Sequence, residues 1–159
     1  MIEINHEIFG KIKYDYYWTR KQDMDIFGKK RSVNLLIQGE EDAEFEQAQK
    51  DAFVRFFDNI TQILKEAEND IYKYYKAICQ EYRDRIVDGS ADETAPIISS
   101  QEEIYRLVEP TDVIFRWSFG KDVRVVGILF DCTWEPEHGL AVKFKDEKVV
   151  EVGYQDIVL

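Results

Sequence analysis

Apolar and polar residues alternate through the first forty positions, apolar residues then recur every three or four positions for nearly fifty, and alternation returns toward the C-terminus. Alternation marks half-buried strands, and a three-to-four spacing marks helices with one apolar face. The pattern predicts an α+β fold in which antiparallel β-meanders at both ends pack against a central pair of long helices, all within one domain spanning 1–159.

The N-terminal strands are expected within 2–38, in three runs: 2–9, 11–19 (KIKYDYYWT) after Gly10, and 32–38 (SVNLLIQ). In the second run Ile12, Tyr14, Tyr16 and Trp18 share one parity and should line one face, with Lys11, Lys13 and Asp15 on the other. Gly28 followed by KKR predicts a turn with a basic knuckle between Asp23 and Arg31. Residues 40–87 repeat Phe45, Phe53, Phe56, Ile60, Ile63, Leu64, Ala67, Ile71, Tyr75 and Tyr82 at helical spacing without Gly or Pro. A single helix there would run about 70 Å at 1.5 Å per residue, too long for a domain of this size. A break is expected at Asp58-Asn59, where Asn59 and Gln62 have the form of a capping pair, with Glu68-Asn69-Asp70 as the second candidate. The two helices should lie antiparallel over the sheet.

Residues 88–100 (DGSADETAPIISS) read as a mobile surface loop. Ser100 and Glu103 cap a short helix, SQEEIYRLV, that Pro110 closes. Four strands follow within 111–154: TDVIFRWSF, VRVVGILFDCTW, LAVKFK and KVVEVGY. Their connections are Gly120–Asp122, the loop EPEHG, and a two-residue Asp146-Glu147 turn.

Composition changes this picture in one respect. A chain of 159 residues, 45% apolar, supports one buried core. Charge is more telling: 32 acidic against 21 basic side chains give a net −11, and the whole excess lies beyond residue 39. Nucleic acid is an unfavourable partner for such a surface. The carboxylates gather at Glu40, Glu41, Asp42, Glu44 and Glu46, and again at Asp92, Glu93, Glu102 and Glu103, which implies an acidic face able to attract a basic protein. No apolar run approaches the roughly 18 residues of a membrane span, and the N-terminus lacks the form of a secretory leader, so a cytoplasmic location is expected. Cys79 and Cys132, without metal-type spacing, read as reduced buried thiols.

The polar loop DCTWEPEHG is the one place where chemistry concentrates. Asp131, Glu135, Glu137 and His138 are donors of the kind a divalent cation takes, and Cys132 with His138 has the elements of a dyad. Neighbouring residues on one turn rarely converge on a point, however, and the only other histidine, His6, lies at the opposite terminus. Pro136 and Gly139 meet the needs of a hairpin connection, with Trp134 and His138 anchoring it. The eight glycines form no phosphate-cradling loop. The expectation is therefore no catalytic residue, no metal and no cofactor. A metal-dependent or hydrolytic enzyme centred on 131–138, or a cytosolic domain serving some other partner, stands as the alternative.

The stretch Val126–Tyr154, with GILFDCTWEPEHGLAVKFKDEKVVEVGY, resembles the C-terminal signature of a group of bacterial domains of unknown function, in which Trp134, Glu137, His138 and Gly139 are the signature positions. AQKDAFVRFFDN and IYKYYKAICQEY resemble that group's aromatic helices, so the resemblance covers about two thirds of the chain. Members of the group occur as, or beside, immunity proteins of polymorphic toxin systems. The resemblance implies a non-catalytic protein that occludes a basic bacterial toxin, and it carries over no catalytic residue.

Overall fold

A computed structural model describes residues 2–159. Its frame is an eight-stranded sheet whose spatial order follows the chain: β1 (Glu3–His6), β2 (Gly10–Asp15), β3 (Tyr17–Ile26), β4 (Lys29–Ile37), β5 (Val108–Phe115), β6 (Val125–Cys132), β7 (Leu140–Lys145) and β8 (Lys148–Gly153). Every neighbouring pair is antiparallel except β4–β5, which is parallel in the register Leu35↔Val113 and Ile37↔Phe115. A parallel pair needs a long crossover, and the helices α1 (Gln47–Asp58) and α2 (Ile60–Arg85) supply it. The two terminal meanders are thus halves of one sheet, strands at both ends flanking the helices as expected.

The faces follow from the pleat. Ile12, Trp18, Val33, Leu35, Ile37, Val113, Phe115, Ile128, Phe130 and Val142 point to the helix side and share one core with Phe53, Phe56, Leu64, Ala67, Ile71 and Tyr75. On the opposite face Val158 of the C-terminal segment lies on Ile114, Leu129 and Ala141. Gly127 permits that approach: a Cβ there would stand 2.6 Å from the Val158 Cβ.

Two expectations are corrected at the N-terminal end. The run 11–19 is not one strand. The chain reverses at Tyr16, whose φ is +70°, so Tyr14 pairs with Trp18 across a hairpin. Ile12, Tyr14 and Trp18 still face the helices, but Tyr16 stands at the tip, 84% exposed. The segment around Asp23 is likewise strand, since β3 continues to Ile26 and turns at Phe27-Gly28, giving four N-terminal strands where three runs were read.

The helical break falls at Asn59, as expected, but by another mechanism. Asn59 N–H donates to the Arg55 carbonyl and Ile63 N–H to the Asn59 carbonyl, so the ladder continues through the bend. Gln62 donates to Glu66 and makes no cap with Asn59, whose own side-chain amide reaches back to the Arg55 carbonyl. One residue is too short for the loop of an antiparallel helix pair, so α1 and α2 form a bent rod. Among the described residues, no helix is long and apolar enough to cross a membrane.

Residues 88–100 are tied to the rod. They contain a one-turn helix α3 (Ala91–Thr94), and Ala95 is fully buried. The Tyr75 hydroxyl donates to the Pro96 carbonyl at 2.7 Å, and Arg83 donates to the Ala91 and Ala95 carbonyls. Tyr75→Phe should cost about 1 kcal/mol, the worth of one buried hydrogen bond, and should show as faster proteolytic nicking between 87 and 100. Beyond it, a 3-10 helix η1 (Gln101–Arg106) carries the expected cap, with Ser99 and Ser100 N–H donating to Glu103.

Candidate functional site

The polar 131–138 loop joins β6 to β7 and is held from below. Trp134 is buried with its ring 4.6 Å from that of Tyr75. Glu135 accepts from the Tyr82 hydroxyl at 2.8 Å with one oxygen and pairs with His138 Nδ1 at 3.0 Å with the other. Burial acts to raise the Glu135 carboxyl pKa, but the bonds from Tyr82 and His138 outweigh it and hold the carboxyl below the usual range. His138 stacks flat on Tyr154, ring centroids 4.7 Å apart, and the Tyr154 hydroxyl lies 3.1 Å from that of Tyr82. Glu137 and Asp131 are exposed. Gly139, at φ +62°, could carry no side chain, since a Cβ would come within 2.4 Å of Gln155 Nε2 and 2.9 Å of the Phe130 carbonyl oxygen.

The partner of His138 is Glu135, and the signature residue Glu137 is exposed. Burial pushes the Cys132 thiol up to about 12, which keeps it protonated and unreactive at neutral pH. Among the described residues, no three His, Cys, Asp or Glu side chains gather at metal-ligand spacing. The loop and its partners read as a clamp between α2, the β6–β7 connection and the C-terminal segment.

The acidic residues divide between opposite ends of the sheet. Residues 38–46 leave β4 where Ile37 pairs with Phe115, whereas η1 precedes β5 where Val108 pairs with Cys132. An eight-residue strand, roughly 25 Å long at 3.3 Å per residue, separates the two ends. Asp92 is engaged by Arg83 at 2.9 Å. The Ser99 and Ser100 backbone N–H groups hold the Glu103 carboxyl below its ordinary range. Glu93 and Glu102 are exposed, as are Glu40, Glu41, Asp42 and Glu44 at the other end.

Glu46 differs from its neighbours. Its carboxylate receives Ser118 N–H at 2.6 Å, Gly120 N–H at 2.8 Å and the Ser118 hydroxyl at 3.3 Å. Partial burial opposes ionisation, but these donors prevail and lower its pKa. Gln38 Oε1 accepts Trp117 N–H at 2.8 Å. Gln49, fully buried, donates to the Gln38 and Phe115 carbonyls, and Trp18 Nε1 donates to the Glu40 carbonyl at 2.8 Å. Three connections, the β2–β3 tip, residues 38–46 and the β5–β6 loop, are thereby joined into one end of the molecule.

What these bonds hold outward is aromatic. Tyr16 and Phe119, 84% and 73% exposed, both sit in the left-handed region, at φ +70° and +55°. For non-glycine residues that conformation costs on the order of 1–3 kcal/mol, and such costs collect at functional positions. Trp117 lies 5.9 Å from the Phe119 ring, and Tyr17 5.5 Å from that of Tyr16. Residues 14–17, 38–46 and 116–122 carry seven carboxylates, including Asp15 and Asp122, against the two cations Arg116 and Lys121. The sequence marks the carboxylates of residues 40–46 but not the aromatic residues beside them. The fold alone brings positions 16, 40 and 117 together.

A larger cleft, about 750 Å³, lies elsewhere, between β3 and α2, and one of its three acidic residues, Glu68, is engaged by Phe27 N–H. No protein of curated function and no solved structure matches the chain. A family model described as "Domain of unknown function (DUF6985)" matches residues 8–159, which takes in the aromatic helices, the DCTWEPEHG loop and three of the four N-terminal strands, β1 lying outside it. The chain belongs to this family, DUF6985, a domain of unknown function.

Proposed function

We propose that this protein is a non-catalytic binding module that docks a basic protein on the end formed by residues 14–17, 38–46 and 116–122. The observation that carries this reading is the pairing of exposed aromatic side chains on strained backbone with a surplus of carboxylates, all on connections held by Glu46, Gln38 and Gln49. Aromatic anchors inside a charged rim are what tight protein interfaces use, and a preorganised surface loses little entropy on binding. In its most concrete form the module is an immunity protein. Its acidic end would cover the basic groove of a cognate bacterial toxin, the function the C-terminal signature implies.

A photo-crosslinking residue at position 119, introduced in the native cell, tests this. The expected result is one dominant adduct with a basic protein. Affinity for that protein should fall at least about tenfold when Glu40, Glu41, Asp42 and Glu44 become lysine, and should weaken between about 0.05 and 0.5 M salt. The same adduct from a crosslinker at exposed Asp23, or affinity indifferent to salt, overturns the reading.

The alternative, an enzyme centred on 131–138, has the Glu135–His138 pair in its favour. Against it, both Glu135 oxygens are engaged and the nearby thiol is held protonated.

A further inference from the structure

We infer that the cleft between the β2–β3 tip and Trp117 is a cage for a single cationic side chain, a lysine or arginine of the docked protein. The inference rests on the docking reading and names the chemistry of its central contact. The cleft, about 340 Å³, is lined by Tyr14, Tyr16, Tyr17, Trp117, Gln38 and Glu40. The lining holds four aromatic residues and a single charged one, the acidic Glu40, so it offers an anion no charge complement. The negative faces of tyrosine and tryptophan rings attract an ammonium or guanidinium group, and the carboxylate adds direct Coulomb attraction.

The remaining polar groups fit the same ligand. Gln38 Oε1 already accepts Trp117 N–H and lies 3.4 Å from Arg116 Nε, so the chain places one guanidinium of its own at the border of the cleft. Glu40 is the one charged residue lining the cleft, and in the chain Asp15, Glu41 and Arg116 adjoin its lining residues. The backbone strain at Tyr16 acquires a purpose in this arrangement. A glycine at the tip would turn the chain at lower cost but would remove one wall.

The test uses the full chain and three small probes: the Nα-acetyl amides of lysine, arginine and norleucine, with NMR following the Trp117 indole N–H and the tyrosine rings. The lysine or arginine amide should shift Trp117, Tyr14 and Tyr17 in a saturable way, at least about tenfold more strongly than the neutral norleucine amide. Tyr16→Ser, at an exposed position that leaves the core intact, should weaken the response several-fold while the backbone spectrum stays that of the folded protein. Equal response to norleucine, or cation shifts confined to residues 40–44 with Trp117 unmoved, overturns the cage. If that happens while the position 119 crosslink still captures a basic partner, the cage falls and the docking end stands. A missing crosslink together with a cation-selective Trp117 response would instead retain the cage and remove the proposed partner.

Discussion

Trp18→Ala is expected to lower the unfolding free energy by about 4 kcal/mol, within the range for emptying a fully buried aromatic site. Trp18 is inaccessible to solvent, and its ring packs against Tyr14 and Phe45 at centroid distances of 5.4 and 6.2 Å. A Cβ added at Gly39 would stand 3.2 Å from the indole and 2.9 Å from the Phe45 ring, so the backbone of the 38–46 connection lies directly on these rings. The indole N–H also holds the Glu40 carbonyl. Truncation therefore opens a cavity and releases the acidic connection together. Against a typical stability of about 5–15 kcal/mol, such a loss is large. The urea midpoint measures it, and Trp18→Phe separates the causes: it keeps most of the volume, removes the N–H, and should cost about 1–2 kcal/mol. If Trp18→Phe proves as damaging as Trp18→Ala, the hydrogen bond to Glu40 dominates and the packing account fails.

Glu46→Ala is expected to cost about 2–3 kcal/mol, because two backbone N–H donors and a hydroxyl lose a charged acceptor at once. Its effect on function should exceed that of any other acidic residue in 40–46, since the β5–β6 loop carrying Trp117 and Phe119 would no longer be held. Amide exchange at 117–121 should accelerate, while Glu41→Ala, at an exposed position, leaves it unchanged. The same carboxylate gives a pH dependence. Its pKa is lower in the folded than in the unfolded chain, so its stabilisation is complete above the ordinary carboxylate range. It is lost as pH falls through that range to the depressed folded value. Glu46→Ala should therefore flatten the acid limb of stability below about pH 4.5 and leave the neutral and alkaline limbs parallel to those of the unaltered protein. An acid limb unchanged by the substitution would show that the carboxylate is not what titrates there.

Most of the C-terminal half was legible because Gly120, Gly139 and Asp146 mark its turns. Asp146 and Glu147 both have positive φ, at 49° and 65°, as a two-residue hairpin requires, and Gly139 sits where only glycine fits. The turn at Tyr16 was not legible for the opposite reason. A tyrosine among tyrosines has high strand propensity and no tendency to left-handed backbone, so KIKYDYYWT reads as continuous strand. Local pattern also cannot distinguish Glu46 from Glu44. One is bound by a loop seventy residues away and the other is free in solvent, a difference created only by tertiary structure. The candidate site was half visible accordingly: its carboxylates stood out as a charge run, but its aromatic members, Tyr16, Tyr17, Trp117 and Phe119, come from segments a hundred residues apart.

The lone parallel pair at the centre of the sheet has a bearing on biosynthesis. Hairpins β1–β4 close from neighbouring residues and can assemble as soon as the first forty leave the ribosome, but the open edge of β4 waits for residues 108–115. During that interval the nascent chain exposes an unpaired strand, Val33-Asn34-Leu35-Leu36-Ile37, open to pairing with a neighbouring chain. The bent rod emerges next and is the first element able to shield its apolar face. Closure of a contact separated by more than seventy residues should then be the slow step of maturation, and a chain cut before residue 108 should aggregate instead of folding into a smaller unit.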